Sequence, residues 1–80
     1  MKIRKLKKMP VTIYSKPSCV QCDATCRAFD AKGIDYQVID ISCDEQAYSF
    51  VQSLGYRQVP VVVCGESHWS GFRPDMISGL

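Results

Sequence analysis

The chain has 80 residues, 46% of them hydrophobic, which is enough for one small domain that buries roughly 60% of its unfolded surface and excludes a second one. Five of the ten basic residues lie in the first ten positions, so residues 11–80 carry five basic and eight acidic side chains, a net charge of −3 within an overall +2. This mildly acidic body argues against a nucleic-acid partner, which needs a basic face.

Residues 1–9 form a basic extension that we expect to be disordered, and residues 10–80 are the expected folded domain. The extension resembles the start of a signal peptide, but the apolar run at residues 11–14 is far too short for a signal peptide or a membrane span. Five cysteines are an odd number for a disulfide framework and suit a reducing compartment. The sequence therefore predicts a cytoplasmic protein without a membrane partner.

The first half of the domain predicts a strand–helix–strand unit. Residues 11–14 are rich in β-forming residues and predict a first strand that ends at a Ser-Lys-Pro-Ser turn. Ser18 is the expected N-cap of the first helix, with Gln21 completing a capping box, and Gly33 is the expected C-cap. Residues 36–41 predict the second strand, which a helical crossover places parallel to the first.

The second half predicts a helix, a hairpin and a short final helix. Ser42 and Glu45 form a second apparent capping box before an apolar-periodic helix. Residues 58–63 predict a third strand, which a glycine-containing turn connects to a short fourth strand ending near Ser70. Pro74 stands at the expected first position of the last helix.

The order β-α-β-α-β-β-α predicts a four-stranded mixed sheet with three flanking helices. Parallel pairing across the helical crossover and antiparallel pairing in the closing hairpin are typical of the α/β thioredoxin/glutaredoxin-like fold. A Cys-x-x-Cys motif at the first strand-to-helix junction strengthens this prediction.

That motif contains Cys19 and Cys22, just inside the expected start of the first helix. On one helical turn the two sulfurs lie close enough to form a disulfide. Free N–H groups and the partial positive charge of the helix N-terminus stabilise a thiolate on the first cysteine. We therefore predict a dithiol redox site, with Cys19 as the nucleophile and Cys22 as the resolving thiol.

A small zinc-binding module is the alternative from a different class of function. Such a site needs a second cysteine pair or a Cys/His pair, whereas Cys26, Cys43, Cys64 and His68 are scattered singly, so we expect no metal. We expect the three cysteines to be small core residues and His68 to be a solvated residue of the edge strand. Cys26 follows Cys22 by one helical turn, and diversion of the disulfide to it is the alternative.

Pro60 lies inside an apolar strand, where proline removes a ladder hydrogen bond. It is either an edge-strand proline or, in a thioredoxin-type fold, a cis proline packed against the cysteine pair. The second arrangement exposes the preceding backbone for pairing with an extended substrate. The predicted fold favours a cis bond between Val59 and Pro60.

Three segments together resemble the NrdH-type redoxins, which are glutaredoxin-like electron donors of class Ib ribonucleotide reductase. They are the cysteine motif at residues 19–22, residues 55–62, and the most specific one, residues 69–75. The resemblance covers residues 9–80. It implies a thioredoxin fold and a dithiol exchange cycle, and we expect a monomer without a bound cofactor.

The resemblance also implies the partners. Electrons would pass to the active-site disulfide in the large subunit of class Ib ribonucleotide reductase, and NADPH would supply them indirectly through thioredoxin reductase. The residues expected to contact substrate or partners flank the cysteine pair or belong to the other two segments. They are Lys16, Val20, Gln21, Val59, Pro60, Trp69, Ser70, Gly71, Phe72 and Arg73.

A glutathione-dependent glutaredoxin is the second interpretation, and nucleic-acid binding through the basic extension is a third. Similar glutaredoxins hold the ammonium group of glutathione with an acidic pair, where this chain has Arg73 and Pro74. We therefore expect glutathione to bind poorly. Trp69 and Phe72 are either core residues or the centre of an exposed apolar surface, and such a surface would instead suit a protein reductase.

Overall fold

The computed structural model describes residues 11–80, and the basic extension predicted for residues 1–9 lies outside them. The elements are β1 (Val11–Ser15), α1 (Val20–Lys32), β2 (Gln37–Asp40), α2 (Glu45–Ser53), β3 (Val61–Cys64), β4 (Ser67–Ser70) and α3 (Pro74–Ser78). The sheet order is β2-β1-β3-β4, with β1 and β2 parallel and β3 antiparallel to β1 and β4. The predicted thioredoxin/glutaredoxin-like architecture is confirmed.

The main core lies between one face of the sheet and the helices α1 and α3. Alternate residues of β1 point into it, and Ile13 lies opposite Val62, which in turn lies opposite Trp69. Its buried members are Val11, Ile13, Phe29, Val62, Cys64, Trp69 and Ile77. Burial of one large apolar side chain contributes roughly 1.5–3 kcal/mol. This cluster therefore fixes α1, the helix that carries the cysteine pair.

Among residues 11–80, α2 is the helix that packs on the opposite face of the sheet. Tyr14 of β1 packs against Phe50 with ring centroids 5.5 Å apart, and Ala47 and Val51 are the buried residues of α2. Burial, and secondarily the charge of Asp44, raises the pKa of Tyr14. The second face is thinner because one short helix covers it.

The first helix starts one residue later than the predicted capping box requires. Cys19 is the N-cap of α1, and its sulfur accepts the hydrogen bond from the Cys22 backbone N–H. Ser18, the predicted cap, precedes it in the left-handed region with φ of 59°. The predicted C-cap is confirmed, since Gly33 has φ of 72° and its N–H bonds the last turn of the helix.

The second capping box is also wrong. Asp44 caps α2 by accepting from the Ala47 N–H at 3.0 Å. The predicted cap, Ser42, donates instead to Asp40, from its hydroxyl at 2.6 Å and its backbone N–H at 2.8 Å. These two bonds hold the pKa of Asp40 below its ordinary value. The β2–α2 loop is thus ordered by its own side chains before the helix begins.

β2 and β3 are shorter than predicted and β1 is one residue longer, while the start of the last helix is confirmed. β2 lacks one residue at each end of the predicted range, and β3 begins at Val61 rather than at residue 58. Pro60 has no N–H to donate to the ladder, so regular pairing starts directly after it. Pro74 is the first residue of α3, as expected.

Candidate active site

The two cysteines of the motif lie at the start of α1, within disulfide-bonding distance and with Cα atoms 5.2 Å apart. Cys19 is partly exposed, whereas Cys22 is only 4% exposed. The Cys19 sulfur is therefore the more accessible of the two to another protein.

The position of Cys19 at the helix N-cap determines its electrostatic surroundings. Its sulfur accepts from the Cys22 backbone N–H at 3.2 Å and lies at the positive end of the dipole of α1. Both interactions favour a negative charge on that sulfur. The site can thus present a thiolate when the pair is reduced.

The bond between Val59 and Pro60 is cis, as the fold argument expects. Pro60 is buried, and its carbonyl accepts from the Gly71 N–H at 2.8 Å, which ties the loop after β4 to this segment. Outside helices and strands, no backbone hydrogen bond within residues 11–80 involves Val59. Its own N–H and C=O groups are available to an extended segment.

Gln21 connects the cysteine motif to the loop after β4. Its Oε1 atom accepts from the Phe72 N–H at 3.4 Å and lies against Gly71, whose φ is 86°. Ser70 continues this connection by donating from its hydroxyl to the Gln58 carbonyl at 3.2 Å. Residues 70–72, predicted to face partners, are therefore brought beside the cysteine pair.

Of the two rings for which the sequence left a core or a surface position open, Phe72 is exposed and Trp69 is a core residue. Trp69 is 4% exposed and belongs to the main core, because its position opposite Val62 on β4 turns it toward α1 and α3. Phe72 is 38% exposed and Val20 is 81% exposed. The exposed apolar surface near the cysteines thus includes Phe72 and Val20, without the indole.

A groove of about 500 Å³ opens beside the cysteine motif. Its lining comes from the β1–α1, β2–α2 and α2–β3 loops and from the helices α1 and α2. The lining residues are Lys16, Gln21, Ile41, Tyr48, Arg57, Gln58 and Val59. The sequence-based prediction included Lys16, Gln21 and Val59. It missed the other four, although Arg57 and Gln58 directly precede the Val59-Pro60 dipeptide that the prediction did use.

Comparisons with known proteins agree with this geometry. Residues 11–69 match the glutaredoxin family model. The chain is 46% identical over 72 residues to the glutaredoxin-like protein NrdH of Escherichia coli K12, an alignment that covers 90% of this chain and 89% of the relative. The chain is an NrdH-type redoxin of the glutaredoxin family.

Solved structures support the same family. The E. coli NrdH-redoxin superposes with a TM-score of 0.87 at 46% identity, covering 90% of this redoxin and 95% of that chain. A glutaredoxin from Archaeoglobus fulgidus superposes with a TM-score of 0.74 at 25% identity, covering 98% of this redoxin and 95% of that chain. Glutaredoxin-like proteins of this kind are thiol-disulfide oxidoreductases with a redox-active cysteine pair.

Arg73 does not present an isolated charge in this redoxin. It forms a surface ion pair with Asp75, with its guanidinium donating to both carboxylate oxygens at 3.2 and 3.0 Å. These bonds hold the pKa of Asp75 below its ordinary value. The repulsion of an ammonium group predicted from Arg73 is therefore reduced by the neighbouring carboxylate.

The three remaining cysteines differ in exposure. Cys64 is buried, and Cys26 is partly buried against the main core, as predicted. Burial raises the pKa of Cys26, a hydrogen bond with Tyr36 partly offsets that rise, and the nearby Asp30 and Asp23 add to it. The prediction is wrong for Cys43, which is exposed because it stands in the turn before α2 begins.

His68 is exposed on the edge strand β4, as predicted, but it has an orienting partner. The hydroxyl of Tyr56 lies 2.7 Å from its Nδ1 atom. Within residues 11–80, no three Cys, His, Asp or Glu side chains come together as a possible metal site. The helices of this part of the chain are also too short or too polar to cross a membrane.

Proposed function

We propose that this redoxin is a dithiol electron carrier that reduces protein disulfides, and that its principal acceptor is the active-site disulfide of the large subunit of class Ib ribonucleotide reductase. The observation that carries the proposal is the asymmetry of the cysteine pair. Cys19 combines accessibility with a hydrogen bond from the Cys22 N–H, whereas Cys22 is buried behind it. Identity of 46% to E. coli NrdH supports the choice of acceptor.

The proposed reaction has two exchange steps. The Cys19 thiolate attacks one sulfur of the partner disulfide, so that a mixed disulfide forms, the partner S–S bond breaks, and the other partner sulfur leaves as a thiolate and takes up a proton. Cys22 then loses its proton and attacks Cys19, which releases the first partner sulfur as a second thiolate. Two electrons pass to the partner, and the redoxin is left oxidised, with a Cys19–Cys22 disulfide.

Neighbouring residues would hold the partner in line for this attack. An extended partner segment can pair with the free N–H and C=O of Val59, as strands pair with exposed backbone in other recognition sites. Phe72 and Val20 supply apolar contacts beside the sulfur. Gln21 fixes Phe72 there through the Phe72 N–H.

We further propose that thioredoxin reductase returns the protein to its dithiol state with electrons from NADPH, and that this cycle operates in the cytoplasm. The related E. coli NrdH-redoxin has a thioredoxin-like activity profile, which supports a protein reductase over glutathione. The exposed Phe72 and Val20 give such a reductase an apolar contact.

Two coupled assays test the function and its reductant together. Reduction of insulin disulfides is followed as NADPH oxidation, once with thioredoxin reductase and once with glutathione and glutathione reductase. We expect a rate at least about tenfold higher with thioredoxin reductase, a preference of about 1.4 kcal/mol. Comparable rates would move the assignment to the glutathione-dependent glutaredoxins, and Cys19→Ser is the inactive control.

The acceptor needs a separate measurement. A class Ib ribonucleotide reductase is supplied with the redoxin, thioredoxin reductase and NADPH, and deoxyribonucleotide formation is measured. We expect turnover that depends on the redoxin. Insulin reduction without support of the ribonucleotide reductase would leave a general disulfide reductase and contradict the named acceptor.

A further inference from the structure

The segment that leads into Pro60 is tied to β4 and to the loop after it. The Gly71 N–H donates to the Pro60 carbonyl at 2.8 Å, and the Ser70 hydroxyl donates to the Gln58 carbonyl at 3.2 Å. Val59 lies between these two carbonyls, and its own N–H and C=O are available to a partner. The two bonds thus hold the end of the segment that a partner would meet.

Tyr56 and His68 form a third contact, at the other end of the segment. The Tyr56 hydroxyl lies 2.7 Å from Nδ1 of His68, and the two rings meet edge to face with centroids 5.5 Å apart. We assign the hydroxyl as the donor and Nδ1 as the acceptor, which places the ring proton on Nε2. His68 belongs to β4, where it lies opposite Val63 of β3. The tyrosine is therefore bonded to a residue that the sheet holds in place.

The chain between α2 and β3 has few other restraints. Residues 54–60 connect these two elements without a helix or a strand of their own. In the range 11–80, the backbone of residues 57–59 receives a single hydrogen bond, at the Gln58 carbonyl. Gly55 directly precedes Tyr56 and has φ of 91°, a conformation that glycine adopts without strain. Without the bond from Tyr56 to β4, the segment is free to turn about Gly55.

The pair of side chains contributes little to the stability of the fold. His68 is exposed, Tyr56 is half-buried, and neither belongs to the main core. Loss of one hydrogen bond of this kind changes the ratio of folded to unfolded protein by about tenfold at most. The bond does restrict the positions that residues 56–59 can occupy. Its loss should therefore affect recognition more than folding.

We propose that the Tyr56–His68 hydrogen bond positions Val59 for the partner and so determines how well an extended protein substrate is presented to Cys19. The inference rests on the proposed exchange at Cys19 and adds two positioning residues outside the cysteine motif. A segment that is already in place avoids the entropy cost of ordering it when the partner binds. A compact disulfide that does not pair with Val59 gains nothing from this restraint.

Two disulfides separate positioning from a general loss of activity. Insulin offers a polypeptide, whereas 2-hydroxyethyl disulfide has no peptide backbone that could pair with Val59. The reduced Tyr56→Phe variant keeps the ring and loses the hydroxyl. It is mixed with each disulfide, and its oxidation is followed by acid quenching and thiol labelling. We expect the second-order rate constant with insulin to fall about three- to tenfold and that with 2-hydroxyethyl disulfide to stay within about twofold of the wild type.

Two substitutions of the same shape at position 68 identify the hydrogen bond as the cause. His68→Asn keeps an acceptor close to the place of Nδ1, whereas His68→Leu places a methyl group there. We expect His68→Asn to retain most of the insulin rate and His68→Leu to lose as much as Tyr56→Phe. Because one bond is removed in either case, the double variant Tyr56→Phe/His68→Leu should lose no more than each single variant. Equal losses in the Asn and Leu variants would contradict the assigned hydrogen bond.

Tyr36→Phe is the matched control. It also removes a tyrosine hydroxyl, which donates to Asp30 at 3.0 Å, but Tyr36 precedes β2 at the end of the sheet opposite to the cysteine pair. This variant should keep both rates of the wild type. A fall in its insulin rate as large as that of Tyr56→Phe would show a general effect of hydroxyl loss and overturn the positioning role.

Backbone NMR relaxation measures the positioning itself. The order parameters of residues 57–59 should be about 0.85 in the wild type and should fall toward about 0.6 in Tyr56→Phe. Unchanged order parameters, an unchanged insulin rate, or equal losses with both disulfides would each overturn the inference and leave disulfide reduction by the wild type intact. Failure of the wild type to reduce insulin would instead overturn the proposed function.

Discussion

Side chains are packed more completely on one face of the sheet than on the other. On the α1/α3 face, Ile13, Phe29 and Val62 are completely buried in one cluster. On the α2 face, Tyr48 and Phe50 remain exposed, and grooves run between the helix and the segment before β3. The cysteine motif stands at the start of α1, with its own helix on the dense face and the groove beside it. We infer that one face supplies stability and the other supplies recognition.

The largest expected effect is on stability, and it directly tests the difference in packing between the two faces of the sheet. Phe29→Ala removes a completely buried ring and should lower the free energy of unfolding by about 3–5 kcal/mol. Phe50→Ala removes a ring that is 40% exposed and should cost no more than about half as much. Urea unfolding of both variants gives the comparison. Equal losses would contradict a difference in packing between the faces.

The division between the faces also shows which features the sequence could reveal. The order of strands and helices follows from apolar patterning and from proline and glycine positions, and Gly33 and Pro74 mark helix ends as expected. The sequence could not choose between adjacent capping residues. The sequence predicts Ser42 as the cap of α2, but its hydroxyl is bonded to Asp40, and Asp44 caps the helix instead.

The direction of individual side chains, and contacts between residues distant in sequence, are harder to predict than the cysteine motif. β4 has only four residues, which is too short for alternation to show that Trp69 faces the core; the register with Val62 decides it. Lys16 and Arg57 are distant in sequence and meet only because the loops at one end of the sheet converge. Cys19 and Cys22 were identifiable because both functional groups lie within one local motif.

Cysteine labelling compares the accessibility of single residues beside the two faces of the sheet. With the Cys19–Cys22 pair oxidised, Cys43 should react with iodoacetamide several-fold faster than Cys26 at neutral pH. Cys43 is exposed, whereas Cys26 is partly buried and its pKa is raised, so it remains the protonated thiol. Mass spectrometry of digested protein measures both rates. Labelling of Cys26 should continue to accelerate as the pH rises above the ordinary thiol value of 9.0.

Equal labelling of Cys26 and Cys43 at neutral pH would show that the main core opens near Cys26. Cys64, which is buried in the same core, is the internal control and should be labelled only when the domain unfolds. Rapid labelling of Cys64 would indicate that the whole core opens.

The smallest expected effect is the loss, in acid, of the contribution that a surface carboxylate makes to the stability of the fold. The folded pKa of Asp75 lies below its ordinary value of 3.8, chiefly because of hydrogen bonds from Arg73. This carboxylate therefore contributes stability above pH 3.8 that is lost as the pH falls through the lower folded pKa. Asp75→Asn should be slightly less stable than the wild type at neutral pH and should approach it in acid.

Thermal unfolding from neutral pH to about pH 2 measures this convergence. Asp40→Asn is the matched variant, because hydrogen bonds from Ser42 lower the pKa of Asp40 in the same direction. A stability difference for Asp75→Asn that grows as the pH falls would reverse the expected sign.

The central claim is that Cys19 attacks and Cys22 resolves, and the Cys22→Ser variant tests it most directly. The reduced variant is mixed with a protein disulfide, and the products are mapped by mass spectrometry without reductant. We expect a stable mixed disulfide on Cys19 and no second turnover, because the resolving thiol is absent. Turnover at the rate of the wild type, or an adduct on Cys26 or Cys43 instead of Cys19, would contradict the claim.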